Sequence, residues 1–226
     1  MYQTILFDLD GTLTDSGPGI VKGVSYSLKK FGIDETRQEK LRKFIGPPLL
    51  DSYQMFYGFD QKKAKKAVKY YREYYAETGL YENNIYPGIE QLLSELKENG
   101  RQLAVATSKP EVFAKKILEK YGLAQYFDVI VGGHLDGSRT KKEEVIRDAL
   151  QECRKIFLEK NKNKREKDWD ALKKVMIGDR FYDAGGAREN RIDIILVEYG
   201  YGEKEELERE GANAIAKTVG DLRKLL

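Results

Sequence analysis

This chain has only one cysteine and no long apolar run, which argues against a disulfide-stabilised protein and against a membrane-spanning one. The one cysteine, Cys153, cannot form an internal disulfide, which is consistent with a reducing compartment. No apolar run approaches the ~20 residues that a membrane-spanning helix needs. A strand-like segment begins within the first few residues, where a secreted protein would carry a longer apolar signal. We therefore expect a cytoplasmic protein that does not contact a membrane.

Net charge is also small, although charged residues are numerous. The 226 residues include 40 basic and 37 acidic side chains, which leaves a formal charge of +3. Non-specific nucleic-acid binding needs a basic face, so this balance argues against a nucleic-acid partner. The length allows one or two domains with a sizeable core. Neither property distinguishes a monomer from a homodimer.

Two aspartates follow the first strand signal in the chain. Residues 5–7 (ILF) predict a short buried strand that ends before Gly11, with Asp8 and Asp10 at its carboxyl end. Residues two apart on a strand point to the same side, and two carboxylates without a basic neighbour need a cation or a shared proton. Mg²⁺ suits such a pair, because it binds a few carboxylates and usually accompanies phosphate. One aspartate could also attack that phosphate; the alternative is a strand followed by an acidic turn without chemistry.

Two later strand signals also end in polar side chains. Residues 103–107 (LAVAT) end in Thr107, and Ser108 follows before a predicted helix. A hydroxyl and backbone N–H groups at such a point can hold phosphoryl oxygens, although a threonine before a helix is more often only an N-cap. Residues 175–178 (VMIG) predict a further strand, after which Asp179 and Asp183 are spaced four residues apart.

The segments that begin at residues 5, 103 and 175 resemble, in that order, motifs I, II and IV of the haloacid dehalogenase superfamily. The first carries the D-x-D-G-T pattern, and the last has the form G-D-x-x-x-D. Motif III is a lysine, which in such relatives directly precedes an acidic pair and then Val-Ile. That context favours Lys142, with Lys141 and Lys109 as alternatives. An ammonium there would offset carboxylate and phosphate charge that nothing else neutralises.

The resemblance implies a two-step phosphoryl transfer at Mg²⁺. Asp8 would be the nucleophile, and Asp10 would first protonate the leaving oxygen and then activate water. The metal would be held by Asp8, Asp179 and the backbone carbonyl of Asp10. Such a metal offsets the repulsion between nucleophile and phosphate.

The resemblance also implies roles for four neighbouring side chains. Thr107, the N–H of Ser108 and Lys142 would bind phosphoryl oxygens. Asp183 would orient the metal shell or Lys142, without binding the metal directly.

Predicted strands and helices alternate over most of the chain. The strands are predicted at residues 5–7, 102–106, 127–131, 174–177 and 192–197, and the helices at 89–99, 111–121, 142–158 and 184–190. Such alternation predicts an α/β protein with a doubly wound, Rossmann-like parallel sheet. Ligands of these sheets bind beyond the carboxyl ends of the strands, which is where the motif aspartates and Thr107 are expected.

Residues 16–81 interrupt the alternation. Apolar residues at helical spacing predict three helices, near 20–31, 48–56 and 61–78. We interpret 16–81 as an all-helical cap domain and 1–15 with 82–226 as the α/β core. A cap at this point resembles the phosphoglycolate-phosphatase-like branch of the superfamily. The tyrosines at 70, 71, 74 and 75 are expected in the cap core and rim rather than on a ligand surface.

The resemblance implies a phosphatase that acts on a small phosphorylated metabolite. The alternatives are a pyrophosphatase and a β-phosphoglucomutase-like phosphomutase; mutase relatives carry a histidine in the first cap helix, and residues 17–30 have none. A non-enzymatic binding protein would be expected to lose Asp8 or Asp10. Selectivity is expected in the cap, where Gly46 lies in a turn near Arg42 and Lys43.

Two remaining features receive no role in this interpretation. The charged stretch 159–170 interleaves basic and acidic residues, which indicates a solvated helix end and loop. Cys153 lies at helical spacing among apolar residues and is expected to be a small buried hydrophobe. His134, the one histidine, is assigned no catalytic part.

Overall fold

The computed structural model describes all 226 residues. Its strands are β1 (Thr4–Phe7), β2 (Thr14–Asp15), β3 (Asn84–Ile85), β4 (Gln102–Pro110), β5 (Val129–Gly133), β6 (Lys174–Gly178), β7 (Asp193–Val197) and β8 (Ala214–Ala216). Its helices are α1 (Gly17–Lys29), α2 (Gln38–Arg42), α3 (Leu49–Tyr57), α4 (Gln61–Tyr75), α5 (Ile89–Glu98), α6 (Glu111–Lys120), α7 (Lys142–Lys160), α8 (Glu166–Asp170), α9 (Phe181–Glu189), α10 (Lys204–Arg209) and α11 (Val219–Leu225).

Six of the strands form one parallel sheet in the order β5-β4-β1-β6-β7-β8. Strand β1 lies at its centre, with Phe7 opposite Val105 of β4 and Ile177 of β6. The strand order reverses direction at β1, which defines a doubly wound sheet. The predicted α/β fold class is confirmed. The apolar pattern did not predict β8 or the short terminal helix α11, because neither contains a long apolar run.

Helices cover both faces of this sheet, because consecutive residues of a buried strand face opposite sides. In β1, Ile5 and Phe7 belong to an apolar cluster of 34 buried residues, while Leu6 belongs to a second cluster of 16. The second cluster includes Cys153 on α7, whose pKa burial raises to about 12. Cys153 is therefore the buried, unreactive thiol that was predicted.

The four helices α1 to α4 stand outside the main sheet. The chain leaves the core through β2 and returns through β3, and these two strands pair as a short antiparallel ribbon. Buried residues line one face of α4 at helical spacing, from Ala64 and Ala67 to Tyr71 and Tyr75. Residues 16–81 thus contain four helices and no strand of the main sheet, one helix (α2) more than the pattern predicted. Their status as a separate domain stays a prediction.

The charged stretch after α7 contains an exposed helix end and the short helix α8. Helix α7 ends at Lys160, and Trp169 of α8 is buried against the second apolar cluster. The rest of the stretch is largely exposed, as its mixed charges indicate. None of the eleven helices is long and apolar enough to cross a membrane.

Candidate active site

The polar residues of three strands converge at one edge of the sheet. Because β4, β1 and β6 are neighbours and parallel, their carboxyl ends bring Thr107, Asp8 and Asp179 to the same place. Asp8 is 4% exposed and Asp179 and Thr107 are each 1% exposed. Buried carboxylates are rare without a partner charge, so this edge requires cations to balance it.

Lys142 provides one of these cations from the first turn of α7. Its Nζ lies 2.7 Å from Asp8 Oδ1 and 2.8 Å from Asp183 Oδ1, and it donates a hydrogen bond to the carbonyl of Ala106 at 3.3 Å. Burial lowers the pKa of this ammonium, but the carboxylates of Asp183 and Asp8 outweigh burial and hold it above its usual value. Lys142 therefore stays charged. The neighbouring Lys141 is exposed and does not reach the carboxylates.

Three carboxylates cluster here, and two of them contact this one ammonium. Oxygen atoms of Asp8, Asp179 and Asp183 lie within 4.8 Å of one another, and Asp179 Oδ1 is buried with no hydrogen-bond partner. Burial and the charges of Asp183 and Asp8 raise the pKa of Asp179 well above its usual value. Burial likewise raises the pKa of Asp183 to about 6. The surplus negative charge and the unpartnered oxygen fit a hard divalent cation that prefers oxygen ligands.

Two glycines leave room for the Asp179 carboxylate. Gly11 has a φ of +84°, and a Cβ built there would lie 2.1 Å from Asp179 Oδ2. A Cβ at Gly200 would lie 2.4 Å from the Cβ of Asp179, and the next N–H, that of Tyr201, donates to Asp179 Oδ2 at 2.7 Å. The turn after β7 therefore orients this carboxylate. Sequence reasoning missed it, although a Tyr-Gly-Tyr-Gly segment directly after an apolar strand was a visible signal.

Asp10 lies apart from the three-carboxylate cluster. Its Oδ2 is 3.0 Å from Nζ of Lys109, which also donates to the hydroxyl of Tyr75 at 2.5 Å. Burial lowers the pKa of Lys109, but Asp10 and Tyr75 outweigh burial and raise it. Lys109, weighed from sequence only as an alternative motif III lysine, thus pairs with the second aspartate. Tyr75 belongs to α4, so a residue of the helical insert completes this part of the site.

The other two residues expected to bind phosphoryl oxygens, besides Lys142, lie on β4, which is next to β1. Thr107 is buried, and its Oγ1 accepts the N–H of Lys109 at 3.3 Å. Ser108 lines a cavity of about 460 Å³ that extends from Asp10 toward the helical insert.

Of the residues predicted to control selectivity, only one lines this cavity. Gly46 lines it, at a φ of +102°. Arg42 and Lys43 do not line it, and both are exposed. The basic residues that the structure does bring to this cavity are Lys65 and Arg72 of α4, in addition to Lys109.

Besides the hydrogen bond from Lys109 to Tyr75, two polar contacts join the insert to the core near the site. Arg180, next to Asp179, donates to the carbonyl of Ile45 at 2.8 Å and pairs with Glu206 at 3.0 Å. The hydroxyl of Tyr201 accepts the N–H of Gly17 at 2.7 Å. His134 also reaches the cavity, at its exposed rim, where Nδ1 lies 2.8 Å from Ser138 Oγ.

Proteins of known family are similar to this chain in sequence and in fold. Residues 5–197 match the family of haloacid dehalogenase-like hydrolases. A 5'-nucleotidase of Pseudomonas aeruginosa is 42% identical, over 100% of this chain and 96% of its own length. A phosphoglycolate phosphatase of Cupriavidus necator is 31% identical, over 98% of this chain and 92% of its own.

A solved structure agrees with these relatives. The crystal structure of a predicted phosphatase from Clostridium acetobutylicum superimposes with a TM-score of 0.88 at 48% identity, covering 100% of this chain and 98% of that one. Phosphatase homologues of full length and the buried carboxylate site together identify a phosphoric monoester hydrolase. The chain therefore belongs to the haloacid dehalogenase-like hydrolase family, as its motifs predicted.

Proposed function

We propose that this phosphatase uses Mg²⁺ and an aspartyl-phosphate on Asp8 to hydrolyse a small phosphate monoester. The observation that carries the proposal is the position of Asp8, buried at the carboxyl end of the central strand. Lys142 lies 2.7 Å from its carboxylate, and Asp179 and Asp183 lie beside it. A carboxylate in this position can attack phosphorus while neighbouring charges hold the phosphoryl oxygens.

The reaction needs a group that first gives and then takes a proton, and we assign this role to Asp10. In the first step Asp8 attacks phosphorus, the bond from phosphorus to the ester oxygen breaks, and Asp10 gives its proton to the departing oxygen. In the second step water attacks phosphorus of the aspartyl-phosphate, Asp10 takes the proton of that water, and Asp8 is released. Thr107 and the N–H of Ser108 would hold phosphoryl oxygens together with Lys142.

The cation would be held by Asp8, Asp179 and the backbone carbonyl of Asp10. Asp183 accepts hydrogen bonds from the N–H of Arg180 at 3.1 Å and lies 2.8 Å from Lys142, so it would orient both neighbours. When bound, Mg²⁺ supplies positive charge that reduces the repulsion between the nucleophile and the phosphate.

Related proteins support a monoester over the alternatives. The relatives named above are a 5'-nucleotidase and a phosphoglycolate phosphatase, so a nucleotide, a sugar phosphate and a phosphorylated carboxylic acid are all reasonable classes. A phosphomutase would need a histidine in α1, and α1 has none. A binding protein would not need the buried pair of Asp8 and Asp10.

A panel of phosphate esters tests this proposal. Wild-type protein and D8N are assayed for phosphate release with Mg²⁺ and with EDTA, and each ester is ranked by kcat/KM. We expect turnover that EDTA removes reversibly and that falls by at least about 10³-fold in D8N, since an amide cannot attack phosphorus. Folded D8N that keeps more than about a hundredth of the wild-type rate would contradict the nucleophile assignment.

A further inference from the structure

One arginine in the cavity above Asp10 has no partner in the protein. Arg72 lines the cavity from α4, and its side chain is half-buried. Its guanidinium makes no hydrogen bond and lies within 4.0 Å of no carboxylate, whereas the half-buried Arg139 and Arg180 each pair with an acidic residue at 3.2 Å or less. Arg72 is therefore exceptional among the half-buried arginines in having neither a charge partner nor a hydrogen bond.

Burial of this charge without a partner is unfavourable. Desolvation lowers the pKa of Arg72 below its usual value, and no carboxylate raises it again. A guanidinium presents five N–H donors in a planar fork that matches a carboxylate or a phosphate. Burying these donors without a hydrogen-bond acceptor costs free energy, and a ligand that supplies an acceptor removes that cost.

The other charges of the cavity do not satisfy Arg72. Asp10 is paired with Lys109 at 3.0 Å. Asp51 and Asp136 are exposed at the rim, and neither forms an ion pair. Lys65, seven residues before Arg72 and so on the same side of α4, is also exposed at the rim. The inner part of the cavity thus carries one free positive charge, between aromatic walls that include Tyr71 and Phe113.

We infer that Arg72 binds a second anionic group, a carboxylate or a phosphate, on the alcohol part of the ester that this enzyme cleaves. The inference rests on the proposed function, because it assigns the cavity to the leaving group of that reaction. A charge-assisted, two-pronged hydrogen bond from the guanidinium would fix the alcohol with its ester oxygen toward Asp10. Neutral alcohols of the same shape would leave Arg72 unsatisfied, so the site discriminates by charge.

Matched esters test the charge preference directly. Phosphoglycolate is compared with its neutral amide, phosphoglycolamide, and ethylene glycol bisphosphate with ethylene glycol monophosphate. For wild-type enzyme with Mg²⁺ we expect at least one anionic ester to exceed its neutral partner in kcat/KM by about 10- to 100-fold, the range of a charged hydrogen bond. The first pair reports a carboxylate site and the second a phosphate site.

Substitution of Arg72 assigns the preference to this side chain. In R72Q the kcat/KM of the anionic ester should fall to within about 2-fold of that of its neutral partner. In R72K the ratio of the two should be intermediate, since lysine keeps the charge but not the planar fork of donors. The matched control is K69Q, a change on the same helix at an exposed residue that does not line the cavity. K69Q should leave the ratio unchanged. R72Q should also unfold at the same or a higher temperature than wild type, because no hydrogen bond or ion pair of Arg72 is lost.

The outcomes separate this inference from the proposed function. If wild type hydrolyses none of the esters with Mg²⁺, the proposed function fails. If it hydrolyses them without regard to the second charge, or if R72Q lowers both members of each pair equally, the Arg72 inference fails while the phosphatase stands. Nucleoside monophosphates, whose leaving nucleoside is neutral, are assayed as well; a loss in R72Q confined to them would overturn the inference, because Arg72 would then recognise a base.

Discussion

Lys109 Nζ lies 3.0 Å from Asp10 Oδ2, and this ion pair separates the second aspartate of the site from the first. Asp8 has its own ammonium, Lys142, at 2.7 Å. The two carboxylates of one D-x-D segment therefore work in different electrostatic surroundings. Asp8 is joined to the acidic cluster where a cation fits, while Asp10 faces the cavity. This division keeps the proposed nucleophile apart from the residue that is proposed to exchange protons with the substrate and water.

The buried ion pair makes a first prediction about stability. In K109M, Asp10 would be left as a buried carboxylate without a partner, and removing one member of such a pair costs about 3 kcal/mol or more in the free energy of unfolding. The double variant D10N/K109M removes both charges and should cost less than the two single changes combined. Denaturant unfolding of the four proteins measures this, and additive losses would show that the pair does not couple.

A second prediction concerns the crowded glycine beside Asp179. In G11A the new Cβ would lie 2.1 Å from Asp179 Oδ2, so that carboxylate must move and activity should fall by about 10²-fold or more. Gly32 is the matched control, because its φ of +72° is also positive but no atom lies within 4 Å of its Cβ position. Both variants should lose about 1 kcal/mol of stability from the backbone conformation. Phosphatase assays should show that only G11A is inactive; equal activity in the two would remove the argument for crowding.

The raised pKa values at the acidic cluster predict how stability depends on pH and Mg²⁺. Burial raises the pKa of Asp183 from 3.8 to about 6, so without metal the folded state favours the protonated acid. This contribution to stability is present at low pH and is lost as the pH rises through about 6. A bound cation favours the ionised carboxylates instead. The difference in Tm between Mg²⁺ and EDTA should therefore be small near pH 4 and should widen toward pH 6 and above.

Thermal unfolding across this pH range measures the difference. The control is D179N, which removes one proposed ligand and should abolish the Mg²⁺ effect at every pH. A Tm difference that is constant from pH 4 to 7, or that persists in D179N, would place the cation elsewhere.

The central sheet and the core of the site could be predicted from the sequence, because both depend on local patterns. Apolar runs predicted the strands, and an aspartate directly after such a run must lie at the carboxyl edge, as Asp8 and Asp179 do. Lys142 could be proposed because the family resemblance implies a lysine directly before an acidic pair and Val-Ile; the helix pattern alone did not distinguish it from Lys141. Each of these inferences needs only a few consecutive residues.

Contacts between distant segments were the part that local patterns could not supply. The sequence placed Arg42 and Lys43 near the substrate, but the direction of a short helix depends on how the insert folds, and both are exposed. Arg72 lies 62 residues after Asp10 in the chain, yet both line one cavity because α4 covers the site. The pairing of Asp10 with Lys109 likewise depends on the register between β1 and β4.

The most direct test of the central claim is whether phosphate becomes bound covalently to Asp8. Enzyme with Mg²⁺ is mixed with excess ester, quenched in acid within milliseconds and digested, and the peptides are examined by mass spectrometry after borohydride reduction of any acyl phosphate. We expect a peptide from wild-type protein in which Asp8 has been reduced to homoserine with loss of its phosphate, and no such peptide from D8N. Turnover of the ester with no covalent phosphate on Asp8, or with the phosphate on another residue, would contradict that claim.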